Sequence, residues 1–138
     1  MAFTGPAEDR LAIRELYGTY ADCAFRQDRD GFLSCWRADG TWSTPFGEVC
    51  GHEALAGQWD AIWQTMASMG FFTEIGSIAV TGDSASARAW CREILNLPDG
   101  RIRKIVGRYD DELRRDEAGW RFYRRTYAVL IAEDPPTG

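Results

Sequence analysis

Glu93 is the residue of this chain whose type and setting most favour acid–base chemistry. It lies in the run Ala85-Ser86-Ala87-Arg88-Ala89-Trp90-Cys91-Arg92-Glu93-Ile94-Leu95. The odd positions read Ala, Ala, Ala, Cys, Glu, Leu; the even ones read Ser, Arg, Trp, Arg, Ile. Side chains alternate across a strand, so the odd set forms the buried face. A carboxylate facing an apolar interior has its pKa raised by desolvation, which suits a general acid or base. The same group can instead close an internal ion pair with Arg125 or another arginine, since a buried charge needs a partner.

Other candidates surround it. Tyr20 lies on the apolar stripe of the first helix, where its phenol can donate a hydrogen bond to a ligand oxygen or serve as a core tyrosine with a satisfied hydroxyl. Ile105, Gly107, Tyr109, Asp111 and Leu113 share one strand face. Tyr109 is a ligand-contact candidate there. Asp111 points inward with them or sits at the sheet rim, and the rim is expected. Trp42, Trp90 and Tyr127 are candidates for aromatic walls, or for plain core. His52, the only histidine, follows Gly51 at a helix start and is expected to be at least partly exposed and uninvolved.

The elements that must position these groups are legible as period changes. Pro6 with Glu8 and Asp9 marks a helix start, and Leu11, Ile13, Leu16, Tyr17, Tyr20 and Ala24 recur at helical spacing, which predicts a helix from about Ala7 to Phe25. Phe32, Leu33, Cys35 and Trp36 read as a short second helix closed by Ala38-Asp39-Gly40. Thr41 to Thr44 reads as a strand, turned by Pro45-Phe46-Gly47 into Glu48-Val49-Cys50. Leu55, Trp59, Ile62, Trp63, Met66 and Met69 give a third helix its stripe, ended by Gly70. Strands follow over Phe71–Val80 and Ala85–Leu95. A long hairpin comes next, Arg101 to Leu113 and Trp120 to Leu130, turned at Arg115-Asp116-Glu117-Ala118-Gly119. Three helices and a bent antiparallel or mixed sheet predict a single α+β domain over residues 1–138, cone-shaped, with a ligand in the concavity.

The bulk numbers agree. At 138 residues, 45% hydrophobic and 13% aromatic, the chain supports one well-formed core. A net charge of −5 disfavours a nucleic-acid backbone as partner. No apolar run approaches the roughly 18–20 residues of a membrane span. Met1 to Pro6 lacks a signal-peptide pattern, and Cys23, Cys35, Cys50 and Cys91 lack metal-ligand spacing, so reduced thiols in the cytoplasm are expected, with no metal.

In order along the chain, Ile13-Arg14-Glu15-Leu16 with Tyr20-Ala21, Asp28-Arg29-Asp30-Gly31-Phe32, Asp39-Gly40-Thr41-Trp42, Gly51-His52-Glu53-Ala54-Leu55, Gly82-Asp83-Ser84-Ala85, and Gly107-Arg108-Tyr109 through Gly119-Trp120-Arg121-Phe122 with Arg125 resemble the SnoaL-like branch of the nuclear-transport-factor-2-like superfamily. That superfamily includes scytalone and bile acid dehydratases, a dehydrochlorinase, ketosteroid isomerases and proteins without catalysis, so the fold alone licenses little about activity. The resemblance implies a cone-shaped α+β barrel and a homodimer through the outer sheet face. It also implies cofactor-free proton transfer on a small apolar cyclic or aromatic molecule.

The family's dehydratases pair a helix aspartate with a strand histidine. By the resemblance these positions fall on Phe25 and Thr73, which would line the pocket but supply no base. Glu93 would then be the acid or base, Tyr20 the hydrogen-bond donor, and Arg125, at the family's arginine position, the charge stabiliser or the partner of Glu93 or Asp111. A binding protein or accessory subunit with the same pocket is the alternative.

Overall fold

The computed structural model describes residues 2–137. Strand β1 (Phe3–Thr4) precedes helix α1 (Ala7–Arg26) and helix α2 (Arg29–Ser34). Strands β2 (Trp36–Thr44) and β3 (Gly47–Cys50) lead to helix α3 (His52–Trp63). Four long strands complete the chain: β4 (Ser68–Thr81), β5 (Ser84–Asn96), β6 (Ile102–Asp116) and β7 (Gly119–Glu133). The sheet order is β1-β4-β5-β6-β7-β2-β3, with β1–β4 and β2–β7 parallel and the other pairs antiparallel. The sheet is curved but not closed, so the expected α+β cone is an open one.

Helix α1 follows the expected span closely. Gln27 ends it in the left-handed region (φ 54°), and its side chain reaches across to the Ala67 carbonyl at 3.0 Å. Its buried face is Asp9, Ile13, Tyr17, Tyr20, Cys23 and Ala24, against β4 and β7. Leu11, assigned to the apolar stripe, is exposed instead.

Two helix boundaries differ from expectation. The Asp28 carboxylate accepts from the Gly31 N–H at 3.0 Å, which caps α2 and starts it at Arg29. The helix ends at Ser34, and Trp36 is not helical; it opens β2 opposite Phe122, whose N–H donates to the Cys35 carbonyl at 2.9 Å. Helix α3 stops at Trp63, where the Thr65 hydroxyl donates back to the Ile62 carbonyl at 2.7 Å. Met66 and Met69 thus leave the helix, and Met69 enters β4. The pairing of β1 with β4 had no sequence signal.

The core is mostly aromatic. Phe32 stacks on Trp59 with centroids 4.5 Å apart, and Tyr20 meets Phe32, Phe71 and Phe122 at 5.4, 5.8 and 5.6 Å. The four cysteines are free thiols, Cys50 exposed and the other three buried.

Candidate functional site

The alternation of β5 holds. Ala85, Ala87, Ala89 and Cys91 are buried, and Ser86, Arg88, Trp90 and Arg92 face out. Glu93 continues the inward set, opposite Ile105 on β6 and Phe71 on β4. It opens into a cavity of about 220 Å³ between the concave sheet face and helices α1 to α3. Helices supply Tyr20, Ala24, Phe32, Gln58, Trp59 and Ile62 to its walls; the sheet supplies Trp42, Met69, Phe71, Arg103, Tyr109 and Tyr127 among others. Phe46, 93% exposed on the β2–β3 turn, and Val129 stand at its mouth. A volume below the roughly 300–1,000 Å³ of ordinary ligand pockets suits a compound of one or two rings.

Glu93 is the only carboxylate among the described lining residues. The Tyr127 hydroxyl donates a hydrogen bond to its Oε2. Burial pushes the Glu93 carboxyl above its usual range, against the opposing pull of the Tyr127 hydroxyl and of Arg103 and Arg125. Burial and the neighbouring Glu93 push the Tyr127 phenol far upward, so it stays a neutral donor. Burial likewise moves Tyr20 to about 12, with Arg125 opposing. The site therefore holds a carboxylate of raised proton affinity within a ring-lined chamber. Such a group can take a proton from carbon or deliver one to a leaving group.

Arg125 does not pair with Glu93. Its Nε and Nη2 donate to the two carboxylate oxygens of Asp111 at 2.9 and 3.0 Å, and Tyr17 adds a third donor to Asp111. Asp111 is 3% exposed and Arg125 1%, so Asp111, expected at the rim, is buried instead, and it does not line the cavity. Burial works against the guanidinium charge, and the Asp111 carboxylate together with Tyr20, Tyr17 and Tyr109 outweighs it and keeps Arg125 protonated. Burial pushes Asp111 up while Arg125 and Tyr17 pull it down; the two-pronged geometry is that of a carboxylate ion. The pair sits under the rings, with the guanidinium carbon 3.7 Å from the Tyr109 centroid and 4.5 Å from that of Tyr20.

Of the expected ligand contacts, Trp42, Tyr109 and Tyr127 line the cavity, as does Tyr20. Phe25 does not: it is 46% exposed and packs edge-on against exposed Phe72, one helical step away from the inward face that holds Ala24. Thr73 is half-buried opposite Cys91, outside the lining. Trp90 belongs to the even, outer set of β5; it is 40% exposed and lies over Gly76, where a Cβ would come within 2.9 Å of its Nε1. His52 is half-buried and bonded to the Trp36 carbonyl at 2.9 Å, tying α3 to β2.

Sequence reasoning missed Arg103, Gln58 and Phe46. Arg103 shares the odd face of β6 with Ile105 and Tyr109, so the same alternation would have found it. Gln58 and Phe46 carried no signal. A larger groove of about 340 Å³ lies on the outer sheet face, but its arginines are already paired, Arg88 with Asp110 at 3.0 Å and Arg124 with Glu48. Among the described residues no group of three metal-ligating side chains is assembled, and no helix is long and apolar enough to cross a membrane.

The model of the SnoaL-like domain matches residues 6–126. No curated protein matches the sequence. Among solved structures, one from Novosphingobium aromaticivorans, provisionally described as an aromatic ring hydroxylase, superposes with a TM-score of 0.88 at 28% identity, covering 95% of this chain and 96% of its own. A second from that organism, provisionally described as a scytalone dehydratase, gives 0.85 at 18% identity over 95% and 90%. The hexachlorocyclohexane dehydrochlorinase LinA-type3 of Novosphingobium barchaimii gives 0.84 at 18% identity over 95% and 92%. With the fold matched over nearly its full length and the family model over most of it, this chain belongs to the SnoaL-like domain family, in the nuclear-transport-factor-2-like superfamily.

Proposed function

We propose that the protein is a cofactor-free proton-transfer enzyme, a dehydratase or isomerase in type, acting on a small and largely apolar cyclic or aromatic compound. The observation that carries this reading is Glu93: a lone carboxylate of raised pKa, hydrogen-bonded to Tyr127, in a chamber otherwise walled mainly by rings. In the proposed step, ionised Glu93 takes a proton from a ring carbon next to an activating group. The electron pair left behind moves toward that group. Protonated Glu93 then returns the proton to another carbon, giving isomerisation, or to a departing hydroxyl, giving elimination of water.

Tyr127 would steady the carboxylate and set its affinity for the proton. Tyr20, a neutral phenol in the cavity wall, would donate to a substrate oxygen. Arg125 would act behind the rings, its charge making Tyr20 and Tyr109 better donors and its ion pair holding them in place. The neighbour at 28% identity carries a provisional name from aromatic-ring chemistry, in keeping with a ring-shaped ligand here.

A non-catalytic binding role is the second reading. It is favoured by the described cavity lining, which holds no histidine to pair with Glu93. Glu93→Gln separates the two. It keeps the shape of the cavity but cannot take a proton, so an enzyme loses turnover and retains ligand, whereas a binder changes little. Turnover retained by this variant would remove Glu93 from the chemistry.

A further inference from the structure

The cavity carries a positive charge that the chain itself uses little. Arg103 is the one cation among the described lining residues, and its side chain is 40% exposed, so it joins the chamber to solvent. Its charge is also felt inside: it lowers the proton affinity of Glu93 and of the Tyr127 hydroxyl bonded to it. Other arginines of the same hairpin hydrogen-bond a carboxylate, Arg108 to Asp110 at 3.0 Å, Arg115 to Asp83 at 2.8 Å and Arg125 to Asp111 at 2.9 Å. Arg103 does not. Its Nε lies 2.7 Å from Oδ1 of Asp134 but out of line for a hydrogen bond, and the Asp134 side chain is 72% exposed. Exposed pairs of this kind hold weakly. The outer nitrogens, Nη1 and Nη2, make no hydrogen bond among the described residues and, unlike Nε, are not closed off from their surroundings.

We propose that Arg103 is an anion subsite: the ligand carries a carboxylate on its ring skeleton, and Nη1 and Nη2 of Arg103 hold that group while the rings enter the chamber beside Glu93. This rests on the reading of the cavity as a small-molecule site and adds one charged substituent to an otherwise apolar ligand. A guanidinium meets a carboxylate with two parallel donors, which fixes orientation as well as affinity. The ligand's acid group takes the place of Asp134, whose own carboxylate stands mostly in water and loses little on leaving. Because Arg103 is partly exposed, the acid group keeps part of its hydration, and the desolvation cost of a fully buried ion pair does not arise. With the acid group fixed there, the remainder of the described lining, mainly rings and aliphatic side chains, takes the skeleton.

The test is a matched pair of probes, 2-naphthoate and 2-naphthamide, which share a skeleton and differ in charge. Affinities are measured by NMR titration. In the wild type, the naphthoate binds about tenfold more tightly than the amide, the worth of a charge-assisted hydrogen bond. Arg103→Gln removes that preference and leaves the affinity for the amide little changed, whereas Arg101→Gln, an equal loss of charge two residues away, keeps it. Asp134→Asn removes the competing carboxylate and strengthens naphthoate binding alone. Bound naphthoate also raises the Glu93 carboxyl pKa, followed by carbon NMR, and the amide does not, which places the anion beside Glu93. Should Arg103→Gln fail to fold, Asp134→Asn and the Glu93 titration in the wild type still decide. Equal binding of the two probes, or a preference that survives in Arg103→Gln, overturns the subsite and leaves the cavity reading standing. Binding of neither probe overturns both.

Discussion

Gly107 makes room for Tyr127. A Cβ at position 107 would lie 2.7 Å from Cε1 of the Tyr127 ring and 2.8 Å from its hydroxyl oxygen. The ring occupies that space beside a register shift between Val106 and Gly107, and from there its hydroxyl reaches Glu93. A glycine inside a strand weakens it unless something approaches closely; here the approaching group is the partner of the candidate catalytic carboxylate.

Gly107→Ala therefore drives the Tyr127 ring away from Glu93. The expected cost is about 1–3 kcal/mol of stability, as for other overpacked sites, read from urea unfolding. Adding Tyr127→Leu to that variant restores most of the stability but not activity. A Gly107→Ala protein as stable as the wild type, with the Tyr127 ring unmoved, would contradict the close approach.

Tyr127→Phe removes a hydrogen bond that lowers the proton affinity of Glu93, so the Glu93 pKa moves further up. Where Glu93 acts as a base, activity rises with pH through that pKa. The acid limb of the pH–rate profile then shifts to higher pH in Tyr127→Phe. The carboxyl titration of Glu93, followed by carbon NMR, moves in the same direction. A shift to lower pH would mean that Tyr127 does not hold the ionised form.

Stability carries the same signature. The Glu93 pKa is raised in the folded protein, so the folded state holds its proton more tightly than the unfolded chain does. The stability contributed by protonated Glu93 is fully present below the ordinary carboxylate pKa and is lost as pH rises through the raised one. Glu93→Gln removes this dependence. It gains stability relative to the wild type as pH climbs across that window, measured by urea unfolding at a series of pH values. A difference between the two proteins that is flat with pH would place Glu93 in an ordinary solvated environment.

The Asp111–Arg125 pair is expected to behave as a buried ion pair. Asp111→Asn leaves a buried cation without its counter-ion and costs about 3–5 kcal/mol. Replacing both, as Asp111→Leu with Arg125→Met, recovers much of that loss, because the desolvation cost disappears with both charges. A loss under about 1 kcal/mol for Asp111→Asn would put the pair among weak exposed bridges.

These residues also show what the sequence makes legible. The inward placement of Glu93 follows from strict alternation along β5, because three alanines and a cysteine on one face can only be core. The turns at Gly82 and Gly119 take positive φ (60° and 97°) and set the hairpins where expected. Trp36 and Met69 were misassigned because an apolar residue at helical spacing fits the start of a buried strand equally well. The pairing of Cys35 and Trp36 with Phe122 and the back-bond of Thr65, not periodicity, mark those helix ends. Phe25 misleads because apolar character does not fix which side of a helix faces the core. Asp111 misleads for another reason: the partner that lets it be buried, Arg125, stands directly opposite in the hairpin, but the third donor, Tyr17, comes from α1, far away in sequence. Trp42 and Gln58 share a wall only because β2 and α3 come together in the tertiary fold.

The most direct test is carbon-bound hydrogen exchange. Purified protein is incubated in D2O with a panel of one- and two-ring ketones and enones, and deuterium incorporation is followed by proton NMR for the wild type and Glu93→Gln. Exchange at a carbon next to the carbonyl, catalysed by the wild type and abolished in Glu93→Gln, is the expected result, with both proteins still binding the compound. Compounds that bind without exchange, or exchange that survives in Glu93→Gln, would contradict proton transfer by Glu93.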